Sequence, residues 1–201
     1  MNSRPIGFRR AQRGVVLFIA MIVLVAMSLA GIAMIRSVDT TLGIAGNMAF
    51  RQSTLQSGDQ GVNAAYTWLL ANSGGTTLQN DNAVSGYYSS RPGSEPNWYD
   101  PNVWTGAVTL APDASGNTPR YIIHRMCNCS ATPYNGTCQD GINQNSCATF
   151  TPSTGGAAGG SMQVGASQFV GATQVYYRIT SRVDGPRNTT SVIQVTILVQ
   201  A

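Results

Sequence analysis

The chain has 201 residues, 43% of them apolar, and a formal net charge of +4; that length accommodates one globular domain plus a membrane helix. All twelve basic residues are Arg; Arg4, Arg9, Arg10 and Arg13 precede the first apolar run, and the remaining eight match the eight acids, so the rest of the chain is neutral and implies no nucleic-acid partner. Charged residues make up only 10%, against about 25% in ordinary soluble domains, a surface suited to an extracellular protein.

From Gly14 to Ile35 no residue is charged. As a helix, Val15 to Ile35 is ~31 Å long, one hydrocarbon thickness of a bilayer. The arginines before it, with no acid among them, place residues 1 to 13 in the cytoplasm and everything after Ile35 outside. A secretory signal carries small residues at a cleavage site after its apolar region. Here a basic leader ends in Arg13-Gly14 directly before the apolar run.

That junction resembles the type III signal of type IV prepilins. The wider run QRGVVLFIAMIVLVAMSLAGIAMIRSVDTTLGIAGNMAFRQ is similar to the N-terminal region of PilX-family minor pilins, and the motif resemblance covers about residues 11 to 72. It implies that a prepilin peptidase cuts after Gly14, removing a leader of residues 1 to 14 and leaving Val15 as an N-methylated mature N-terminus. Residues 15 to 35 are then a transmembrane and filament-core helix, 36 to 72 its continuation as the spine of a domain, and 73 to 201 a β-rich domain outside the inner membrane. The implied role is non-enzymatic: a PilX-type minor pilin in a tip or priming complex that starts type IV pilus assembly. Its implied partners are the other minor pilins and the major pilin, through the N-terminal helix, together with the inner-membrane assembly platform and a large tip adhesin. The alternatives are a tip pseudopilin of type II secretion and a membrane-anchored adhesin module. Most pilins carry a Glu as the fifth mature residue, where it answers a neighbour's amino terminus inside an apolar core; the position here is Ile19. PilX-like minor pilins and the secretion tip pseudopilin share that gap, which points to the filament tip.

Past the membrane run, helical signals continue from Asp39 to Leu70. Met48, Leu55, Val62 and Leu69 recur every seven residues, with Gly58 and Ala65 between them, predicting a narrow stripe on which a sheet approaches closely. Asn72-Ser73-Gly74-Gly75 ends the helix, with glycine for a left-handed cap. Residues 73 to 119 are turn-rich, with Trp98, Tyr99 and Trp104 expected to pin this long loop onto the domain. Tyr121 to Cys127 reads as a strand, and residues 153 to 167 as a flexible glycine-rich stretch that, with no Lys following, is no phosphate loop. Gln174 to Val183 alternates, Val175, Tyr177, Ile179 and Val183 sharing one face and Gln174, Tyr176, Arg178, Thr180 and Arg182 the other. Asp184 to Asn188 turns, and Thr189 to Val199 returns as a hairpin partner. The expected architecture is α+β, a long helix packed on an antiparallel sheet; the resemblance implies the same, as a pilin-like ladle.

Cys127, Cys129, Cys138 and Cys147 all lie beyond the membrane run and read as two disulfides in an oxidising compartment. Cys127 with Cys129 is the least favoured pair, since residues two apart in a strand sit at the upper limit of disulfide separation. The other two connectivities stay open, and a zinc site made of all four thiolates is the competing reading. Asp140, Asn143 and Asn145, and Asn80, Asp81 and Asn82, are spaced loosely like calcium ligands without the bidentate Glu. The single histidine, His124, sits in the expected strand with no acid or nucleophile nearby, and hydrolase and metalloprotease motifs are missing. No cofactor, metal or catalytic residue is therefore expected.

Overall fold

A computed structural model describes residues 14 to 151 and 172 to 200; the expected flexible stretch 153 to 167 lies outside them. The chain divides into two compact units, Met1–Met48 and Ala49–Ala201. Helix α1, Val15–Ala71, contributes to both.

In the first unit α1 is apolar and uncovered. Leu17, Phe18, Met21, Leu24 and Met27 are each more than 60% exposed, and the run is long and apolar enough to cross a membrane. Ser28 and Thr41 turn their hydroxyls back onto the helix: Ser28 Oγ donates to the Leu24 carbonyl at 2.8 Å and Thr41 Oγ1 to that of Ser37 at 2.8 Å. Such bonds satisfy these hydroxyls within their own helix.

In the second unit α1 packs on a six-stranded mixed sheet, and the class is α+β. The strands are β1 (Tyr87–Tyr88), β2 (Val108–Thr109), β3 (Thr118–Arg125), β4 (Thr149–Phe150), β5 (Gln174–Gly185) and β6 (Thr189–Gln200). β5 runs between β6 on one side and β3 with β4 on the other; β1 and β2 flank the far edge of β3. All these pairings are antiparallel except β1 with β3, which is parallel through Tyr87↔Ile123 and Tyr88↔His124. The expectation of a purely antiparallel sheet is corrected at that two-residue strand, which arrives from a long crossing loop and not through a hairpin.

The helix face on the sheet consists of Thr54, Ser57, Gly58, Gly61, Ala65 and Leu69, spaced three and four apart. Gly58, Ala65 and Leu69 belong to the expected stripe. Met48 and Leu55 belong to it too, yet they are 67% and 43% exposed. A seven-residue repeat drifts by about 20° per heptad on a helix of 3.6 residues per turn, so by Leu55 the stripe has turned away from the sheet. The approach is close where expected: a Cβ on Gly58 would lie 2.6 Å from Ile193 Cδ1, and one on Gly61 would strike the Ser181 hydroxyl. The helix stops at Ala71, Asn72 Nδ2 donating to the Trp68 carbonyl at 2.8 Å and Gly74 adopting φ +73°.

The β5–β6 hairpin has the expected register, from Gln174↔Gln200 to Gly185↔Thr189. Val175, Tyr177, Ile179 and Val183 are buried in the core on the inner face. The outer face is also covered: Trp98, Trp104 and Ile122 form a second apolar cluster with Tyr88, Val103, Ala107 and Val192. β3 begins at Thr118 and ends at Arg125, three residues earlier at its start and two earlier at its end than the strand expected.

Candidate functional site

At the head of α1, Gly14 holds φ +116°, a conformation that favours glycine, and Phe18 N–H donates to its carbonyl at 3.4 Å. Val15 is the first helical residue and is 64% exposed; Ile19, one turn on, is 55% exposed. Phe18, Met21, Ile22, Val25, Ala26 and Leu29 line a shallow groove of about 350 Å³ that is almost wholly apolar. Gly14 thus stands immediately before Val15, the first residue of the helix. Among the described residues, Ile19 lies on an apolar, exposed helix surface.

The four cysteines pair as Cys127–Cys147 and Cys129–Cys138. All four sulfurs are consumed, so no thiolate remains for zinc. The loop they close starts two residues beyond β3 and rejoins the sheet at β4, Cys127 facing Cys147 in an isolated antiparallel bridge. Buried Asn145 clamps it from within: its Oδ1 accepts from the Cys129 N–H at 3.1 Å, and its Nδ2 donates to the carbonyls of Thr132 at 3.3 Å and Pro133 at 3.0 Å. Arg125, 3% exposed, donates from Nε to the Ser89 carbonyl at 2.8 Å and from Nη2 to the Thr132 carbonyl. These bonds tie the cysteine loop to the segment after β1.

The calcium-like triplets do not converge. Asp140 accepts from the N–H groups of Ile142 and Asn143 and from Asn143 Nδ2, closing its own turn, while Asn145 is committed to the loop interior. Asp81 accepts from the Ser89 N–H and hydroxyl at 2.6 Å each, and Asn82 caps a short 3-10 turn. Among the described residues no three His, Cys, Asp or Glu side chains gather as metal ligands.

His124 is buried, stacked on Tyr88 at 5.1 Å and edge-on to Trp98. Burial, reinforced by the Arg178 guanidinium, pushes its pKa down to about 4. It packs as a neutral ring against aromatics. Trp98 donates from Nε1 to Glu95 at 2.5 Å, Arg178 from Nη1 to Glu95 at 2.8 Å, and Trp104 from Nε1 to the Trp98 carbonyl at 2.9 Å. Trp98 and Trp104 therefore pin the long loop as expected, whereas the Tyr99 side chain is 64% exposed and the residue meets the sheet through its backbone, its carbonyl accepting from Arg182 Nη1 at 3.2 Å. Sequence reasoning missed Arg125, the Glu95–Arg178 pair (side-chain N···O 2.8 Å) and the clamping role of Asn145, which it reads only as a loosely spaced calcium ligand. Their one sequence signal is that polar residues fall inside or beside strand and cysteine patterns.

Comparison with protein-family models, with curated proteins and with solved structures found no match to this chain.

Proposed function

We propose that this chain is a structural minor pilin of the PilX type, anchored by α1 in the bacterial inner membrane and serving in the tip or priming complex of a type IV pilus. The observation that carries the reading is that a single helix holds both an uncovered, membrane-length apolar run and a small-residue face seated on a β-sheet. A subunit passed from a bilayer into a filament requires both: the first half exchanges lipid for neighbouring helices, and the second anchors a folded domain. The run around Arg13-Gly14 and its resemblance to prepilins support cleavage after Gly14 and a pilin-like ladle. Ile19 supports a place at the tip, and the two disulfides support a domain outside the cytoplasm. In this role the helix meets the major and other minor pilins, the assembly platform and a tip adhesin.

Leader processing is the test. In cells with an active prepilin peptidase, intact-mass analysis is expected to show a mature N-terminus at Val15, and Gly14→Leu to retain residues 1 to 14. A wild-type protein that keeps its leader, or a Gly14→Leu protein cut normally, removes the proposal.

A further inference from the structure

β6 is the long edge of the sheet. Among the described residues it pairs with β5 alone, so the backbone groups on its far side find no strand. Natural edges of this length are blunted by Lys, Pro, bulges or brevity. The twelve residues TTSVIQVTILVQ contain no charge, no proline and no glycine. On the helix side of β6, Ile193, Val195 and Ile197 remain only half-buried. Beside them a groove of about 490 Å³ opens between α1 and β6, lined by Asp59, Val62, Asn63, Tyr66, Ile197 and Leu198. Asp59 is its one charged group, is exposed, and forms no ion pair among the described residues.

We infer that β6 and this groove receive an extended segment of another polypeptide, added to the sheet as a further strand, with apolar alternate side chains in the groove and a Lys or Arg set against Asp59. An unpaired edge selects backbone: only an extended chain presents N–H and C=O groups at the spacing of the row β6 leaves open. The pleat sends every second side chain of an added strand toward the helix, where Val62, Tyr66 and Ile197 offer apolar contact. Lying between edge strand and helix, the groove gives such a strand a floor and one wall. Charge decides between occupants. A second copy pairing through its own β6 brings no charge and leaves Asp59 unanswered, whereas a basic residue on a different chain answers it. This inference does not rest on the pilin reading and survives its failure.

The test uses the full chain in detergent micelles, with residue-resolved amide hydrogen exchange on β6. The probes are a synthetic decapeptide of alternating Val and Thr with one central Lys, and its counterpart with Glu in that place. The Lys peptide is expected to slow exchange at alternate β6 amides by about tenfold or more, as added strand pairing does; the Glu peptide is expected to leave them unchanged. Asp59→Lys, at an exposed helix position that leaves the fold intact, is expected to reverse the preference. Three results overturn the inference: β6 amides fully protected in dilute protein alone, which means the chain covers its own edge; protection that rises with protein concentration and not with peptide, which means a second copy is the occupant; or equal action, or none, by the two peptides.

Discussion

At the scale of single residues, His124 sets a pH dependence. Its ring is 8% exposed, between Tyr88 and Trp98, with Arg178 beside it, and its pKa in the folded chain is about 4 against 6.5 for a free side chain. The folded state therefore binds fewer protons than the unfolded one between these values, and stability falls as pH drops through that window. Above pH 6.5 the ring is neutral in both states and contributes no slope. A difference of this size corresponds to about 3 kcal/mol when fully expressed. Denaturant unfolding from pH 7 to pH 4 is expected to show that decline, and His124→Phe, which keeps the stacking and removes the titration, to flatten it. Glu95, held below the ordinary carboxylate range by the Trp98 indole N–H and then by Arg178, contributes in the same direction only at the acid end. A slope unchanged by His124→Phe would move its source to groups other than this ring.

At the scale of elements, the two disulfides differ in the length of chain they close. Cys127–Cys147 spans a separation of 20 residues and Cys129–Cys138 one of 9. By loop-closure entropy, the longer crosslink stabilises by about 3.3 kcal/mol and the shorter by about 2.7 kcal/mol. Cys127→Ala with Cys147→Ala is therefore expected to lower stability more than Cys129→Ala with Cys138→Ala. The longer bridge also closes the loop where it leaves and rejoins the sheet, so its loss frees both ends at once. Denaturant midpoints of the two double variants read the difference; the reverse order would mean that the bonds of Asn145, and not chain length, govern the loop.

At the scale of the whole molecule, Ile19 leads to a prediction about copy number and place. A subunit within a filament shaft has a neighbour's amino terminus to neutralise inside an apolar core, where an unanswered charge is costly. The first subunit has none above it. Under the pilin reading, labelled protein is expected at few copies and at filament ends, deletion to reduce the number of pili more than their length, and Ile19→Glu to leave initiation largely intact because a carboxylate there stays protonated. Label spread along the shaft at the level of a major subunit would refute tip placement.

What the sequence determined by itself is whatever repeats locally. The apolar run from Val15, the Arg13-Gly14 junction, the absence of an acid at Ile19, the β5–β6 alternation and the glycine-rich helix end are all legible from neighbours within a few residues, because helix and strand periods are short. Tertiary structure decided what depends on distant partners. The pairing of Cys127 with Cys147 follows from β3 and β4 both bordering β5, which no spacing encodes. The exposure of Leu55 follows from where the helix face turns away from the sheet, although its heptad spacing matches that of Leu69. Thr180 and Arg182, on the polar face that the alternation of β5 predicts, are buried because the loop carrying Trp98 and Trp104 folds across them. A residue's period says which way it faces along its own element; only the packing of the other elements says whether anything covers that face.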